Sequence, residues 1–109
     1  MTIQEAQKKV YNHLKEIGYL EIETTPLHAF VHLIEETGEV ARALLHKETK
    51  RGNLPFTTEP SEIEDEVADI FWQTLKLASY LDIDLESAFE NKYQKNLKKK
   101  FNINQTAKK

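Results

Sequence analysis

Cysteine is absent from the 109 residues, which excludes disulfides, zinc ribbons and thiol catalysis. Packing, a metal ion or self-association must then stabilise the fold. A basic excess is missing too: the formal net charge is −3, against the positive footprint usual for a nucleic-acid binder, so no nucleic-acid partner is expected. No apolar run approaches the roughly 20 residues needed to span a bilayer, and no membrane partner is expected. The opening stretch, Met1 to Val10, lacks the basic head and apolar middle of a secretory leader, so the expected location is cytoplasmic. No glutamate has a histidine three residues later, which argues against a di-iron carboxylate bundle.

The sequence carries instead four helical patterns and no convincing strand. Ile3, Ala6, Val10, Leu14 and Ile17 recur at helical spacing, with Thr2 and Glu5 as a capping box and Gly18 as a stop, predicting a first helix over 3–17. Thr25-Pro26 opens a second, whose stripe is Leu27, Phe30, Ile34, Ala41, Leu44 and Leu45. Lys47 to Pro60 contains Gly52, Asn53, Pro55 and Pro60 and reads as a loop. Ser61 and Glu64 form another capping box, leading a third helix with Ile63, Val67, Ile70, Thr74, Leu77 and Leu81 as its packing stripe. Asp84 is placed to cap a fourth helix through Leu85, Ala88, Phe89, Tyr93 and Leu97. The fold expected is all-α, an antiparallel four-helix bundle, with a single domain over 1–102 and a frayed tail over 103–109.

Two acidic clusters interrupt these patterns, Glu35-Glu36-Thr37-Gly38-Glu39 and Glu66-Val67-Ala68-Asp69. Residues three or four apart share a helix face, with Cβ atoms about 5–6 Å apart. Glu36 therefore projects with Glu39, and Glu66 with Asp69. If the two helices pack, four carboxylates converge, and burying so much like charge exceeds a small domain's net stability unless a cation neutralises it. Oxygen-only donors favour Mg²⁺ or Mn²⁺. Six of the eleven residues from Glu59 to Asp69 are acidic and five of the nine from Lys92 to Lys100 are lysine, so an acidic site and a basic strip meet if the helices bundle. Glu59, Glu62 and Glu64 fit a simpler role as acids near a helix N-terminus.

Glu35, Glu36 and Glu39, then 26 residues, then Glu66 and Asp69, resemble the EExxE to ExxD signature of the MazG-like all-α nucleotide pyrophosphohydrolases. Leu33 to Ala41 looks like that family's first motif and Glu64 to Ile70 like its second. Asp82 to Ala88, followed by Asn91-Lys92 and Lys95-Asn96, is similar to its fourth-helix ending. The resemblance implies a Mg²⁺-dependent enzyme that hydrolyses a nucleoside triphosphate between the α and β phosphates, for house-cleaning or control of nucleotide pools. It implies metal ligation by Glu36, Glu39, Glu66 and Asp69, and a homo-oligomer, dimer or tetramer, with sites near subunit contacts. A triphosphate's charge next to carboxylates independently requires metal ions and flanking cations. Glu35 lies about 100° around the helix from Glu36, as an outer-sphere ligand or a base for the attacking water.

Lys92, Lys95, Asn96 and Lys99 share a broad face of the fourth helix and are candidates for phosphate contacts. The family more often carries an arginine near the end of this motif, where Lys98, Lys99 and Lys100 stand here; lysine offers a point charge without arginine's bidentate fork. His32, one turn before Glu36, is in reach to orient a ligand, although a lone histidine on a packed helix is more often structural. Phe71 and Trp72 offer stacking faces for a base, a role weighed against core or interface packing. Two further functions compete: phosphoribosyl-ATP pyrophosphatase, for which the insertion Lys47 to Pro60 is long, and a helical interaction module without catalysis.

Overall fold

The computed structural model describes residues 1–49 and 62–100. Four α-helices make up its architecture: α1 (Ile3–Glu16), α2 (Pro26–Glu48), α3 (Ile63–Tyr80) and α4 (Leu85–Leu97), with a 3₁₀ turn at Tyr19–Glu21. Among the described residues there is no strand, and no helix is long and apolar enough to cross a membrane. The expected all-α helical bundle is therefore the fold. The tail over 103–109 and most of the loop expected over 47–60 lie outside the described residues; Lys47 and Glu48 belong to α2, which runs past the expected end at His46.

Local chemistry explains most of the boundaries. Thr2 Oγ1 accepts from Glu5 N at 3.0 Å while Glu5 Oε1 accepts from Thr2 N at 3.2 Å, closing the capping box of α1. Thr25 caps α2 by accepting from His28 N, with Pro26 preset for the first turn. Asp84 caps α4 by accepting from Ser87 N at 3.2 Å. The cap expected for α3 differs. Ser61 lies outside the described residues, and Glu62 holds the N-cap position without a side-chain cap bond. Glu64, Asp65 and Glu66 in the first turn favour the positive end of the helix dipole instead.

Gly18 follows α1 with φ 79° and ψ 10°, the left-handed conformation that ends helices, and nothing lies within 4 Å of a Cβ built there. Gly18→Ala should therefore cost backbone strain alone, about 1 kcal/mol, read as a lower denaturation midpoint with an unchanged slope. An unaltered midpoint would mean that the turn relaxes.

α1 and α3 enclose the small core, Val10, Leu14 and Leu75, with Ile3, Ala6, Tyr19, Leu20 and Leu85 against it. α2 packs most extensively on α3. The pairs His32 with Lys76, and Glu36 with Glu66 and Asp69, show that the two run antiparallel. The expected apolar stripes do not face this contact. On α2, Leu27 is 67% and Ile34 54% exposed while Ala29 and Ala43 are buried; on α3, Val67, and just past its end Leu81, are half exposed while Glu66, Gln73 and Lys76 are buried. Glu66, Asp69, Gln73 and Lys76 follow a 3-4-3 spacing, so one face of α3 is polar. Lys76 meets Glu23 before α2 and His32 on it, whereas Glu66 is turned towards Glu36.

Candidate metal centre

Glu36 from α2 and Glu66 and Asp69 from α3 each offer a carboxylate oxygen, and these oxygens all lie within 4.8 Å of one another. Glu66 is only 6% exposed, Glu36 is half-buried and Asp69 opens to solvent. Burial, followed by the negative charge of Asp69, raises the Glu36 carboxyl above the usual carboxylate range; His32 opposes that shift. Three hard oxygen donors crowded against mutual repulsion suit a divalent cation.

The other expected site residues are placed differently. Glu39 is exposed and turns to Arg42, with its Oε2 3.1 Å from Arg42 Nη2, and does not join the three-carboxylate group. Its neighbour at i+3 offers a cation where the cluster offers only like charge. Glu35 is exposed, close enough for its charge to contribute to the Tyr19 hydroxyl, which burial and a bond to Glu23 push up to about 12. Lys92, Lys95, Asn96 and Lys99 are all exposed. α4 is anchored on α1 through its first turn, and among the described residues none of these lysines pairs with Glu36, Glu39, Glu66 or Asp69. Among the described residues of one chain, the basic strip and the acids thus form no ion pair.

In a second polar group only His32 stands out in the sequence. Lys76, 1% exposed, lies 2.5 Å from Glu23 Oε1, 2.8 Å from His32 Nδ1 and 5.2 Å from the centre of the Tyr19 ring. Glu23 Oε2 accepts from Tyr19 Oη at 2.8 Å, and Tyr80 Oη donates to the Glu23 carbonyl. Burial would raise the Glu23 carboxyl, but bonds from Lys76, Tyr19 and His32 outweigh it and hold it below its ordinary value. The sequence signal was Lys76 between Leu75 and Leu77, in phase with Glu66 and Asp69. Its partner, 53 residues earlier in a connector, has no periodicity to reveal it.

Hard oxygen donors gathered by two antiparallel helices form a candidate centre for a divalent cation. A model of the MazG nucleotide pyrophosphohydrolase domain matches residues 24–103, and the chain belongs to that family. It is accordingly a nucleotide pyrophosphohydrolase, of a family generally dependent on divalent metals. YpjD of Bacillus subtilis (strain 168), a protein of uncharacterised activity, is 30% identical over 91 residues, covering 82% of this chain and 78% of YpjD. A crystal structure of YpjD from Bacillus subtilis, described as a candidate pyrophosphatase, is similar with a TM-score of 0.69 at 29% identity. It covers 92% of this chain and 97% of that one.

Proposed function

We propose that this enzyme hydrolyses a nucleoside triphosphate to its monophosphate and pyrophosphate with Mg²⁺, or Mn²⁺ in its place. The observation that carries this reading is the convergence of Glu36, Glu66 and Asp69, with oxygens within 4.8 Å of one another. These three would hold the ion, and Glu39, one helical turn beyond Glu36, would be the fourth donor on leaving Arg42. A divalent ion held there would neutralise phosphate charge and polarise a phosphoryl oxygen. Glu35 is the base that takes a proton from water as the water oxygen bonds to the α-phosphorus and the bond to the bridging oxygen breaks. Lys92, Lys95 and Lys99, with Asn96, meet the charge of the leaving pyrophosphate.

Because α4 packs on α1 and its lysines pair with none of the acids among the described residues, this reading puts those lysines against a site on a second copy. The apolar faces support a homo-oligomer: Leu27, Phe30 and Ile34 on α2 and Phe89, Tyr93 and Leu97 on α4 are all 47% exposed or more and recur at helical spacing. Light scattering should give a mass at least twice that of the 12.7 kDa chain; a monomer at micromolar concentration would refute the shared site.

The test of the reaction is pyrophosphate release from a panel of nucleoside triphosphates, with Mg²⁺ and then with EDTA. Metal-dependent release paired with monophosphate is expected. The folded protein should also melt higher with metal, by about 2.7 kcal/mol of stabilisation at a hundred times the Kd. Silence on the panel with turnover of phosphoribosyl-ATP would transfer the activity to that substrate. Silence on both, with no metal-linked stability, would indicate a helical module without chemistry.

A further inference from the structure

We infer that His32 is a positioning residue for Glu36 and that the buried Lys76–Glu23 pair sets how its ring is presented, so that this network tunes the metal affinity of the acidic centre. The inference rests on the reading of Glu36, Glu66 and Asp69 as ligands. His32 precedes Glu36 by one turn of α2, and its Nε2 lies 3.4 Å from Glu36 Oε1. Its other nitrogen is clamped. Nδ1 is 2.7 Å from Glu23 Oε2, 2.8 Å from Lys76 Nζ and 3.1 Å from Tyr19 Oη.

An imidazole's two nitrogens are linked, because what one binds decides what the other presents. Lysine only donates and an ionised glutamate only accepts. If Nδ1 accepts from Lys76, the neutral ring carries its proton on Nε2. If Nδ1 donates to Glu23, the doubly protonated ring carries one on Nε2 as well. Both arrangements direct an N–H at Glu36 Oε1. Only a ring protonated on Nδ1 alone would turn a lone pair on that carboxylate, and the ammonium 2.8 Å from Nδ1 opposes that form.

The consequence for Glu36 is a fixed side chain. One oxygen is engaged by His32, which restricts rotation of the carboxylate beside Glu66 and Asp69. Groups that orient a ligand in this way typically change metal affinity or activity 10–100-fold when removed. Lys76 lies two turns beyond Asp69 on the same α3 face, and Glu23 lies in the connector before α2, so the clamp ties both ligand-bearing helices to one buried pair.

The experiment is titration of Mn²⁺ against the full chain, with free ion read by electron paramagnetic resonance, for the wild type, His32→Leu, His32→Gln and the neutralised pair Glu23→Gln/Lys76→Gln. His32→Leu should raise the Mn²⁺ Kd about 10-fold or more. His32→Gln, whose amide restores a donor near Nε2, should recover most of that loss. The neutralised pair should weaken binding by a smaller factor. In turnover assays, excess metal should restore the rate of His32→Leu, which loss of structure alone would not allow. A wild-type Kd in His32→Leu would overturn the positioning role while leaving the metal site standing. Failure of the wild type to bind Mn²⁺ would overturn both.

Discussion

Glu66→Gln should remove pyrophosphohydrolase activity and raise the melting temperature of the metal-free protein. Glu66 is the most buried of the three clustered carboxylates, at 6% exposed, with oxygens of Glu36 and Asp69 within 4.8 Å. Two unit charges at that separation repel by about 3 kcal/mol at an effective dielectric constant near 20. A third of that relief shifts the melting point of a domain this size upward by about 4–8 °C. Activity should move the opposite way, by about 100-fold or more, since the ion contributes several kcal/mol and each 1.36 kcal/mol is tenfold in rate. Turnover by the variant at the wild-type rate would sink the ligand assignment.

The same repulsion gives the metal-free protein a pH signature. Glu36 holds its proton more tightly folded than unfolded, so its contribution is most favourable below the ordinary carboxylate range and declines as pH rises through its raised value. Saturating metal should flatten that decline.

Lys76→Met should be the most destabilising single change at the polar interface, at about 3–5 kcal/mol, because it strands the Glu23 carboxylate without its buried cation. For a domain with about 5–15 kcal/mol in total, that is a loss of more than about 10 °C in melting temperature. Adding Glu23→Gln should recover much of it, as the remaining amide carries no charge. Glu23 also has the opposite pH dependence to Glu36. Its lowered carboxyl contributes stability above the ordinary carboxylate value that is lost as pH falls through the lowered one, and Lys76→Met should diminish that acid-side loss. Equal stability of wild type and Lys76→Met between neutral pH and pH 5 would show that the pair contributes nothing net.

Helix ends were legible because their chemistry is local. Thr2 with Glu5, Thr25 with Pro26, Gly18 and Asp84 each act within four residues, and each does what its type suggests. Helix faces were less so. Apolar periodicity showed that α2 and α3 have an apolar side, but not that this side would remain uncovered within one chain while Glu66, Gln73 and Lys76 turn inward. Periodicity reports a phase and cannot say which phase meets a neighbour. For the centre, the i,i+3 spacing brought Glu66 with Asp69 and the helix pairing added Glu36. Arg42 drew Glu39 aside, a competition that spacing does not rank.

The anchorage of α4 on α1 makes it a lever. Gln7 Nε2 donates to the Ile83 carbonyl at 2.8 Å and Gln7 Oε1 accepts from Leu85 N at 3.2 Å, while Glu86 Oε1 accepts from Gln4 N. All three bonds sit at the fulcrum. Beyond Glu86 extend 11 helical residues, about 17 Å at 1.5 Å per residue, with no buried side chain. An angular play of about 10° at that fulcrum sweeps the far end through about 3 Å, the span of one hydrogen bond. The aim of the distant lysines is thus set at the opposite end of the arm, by two glutamines of the first helix.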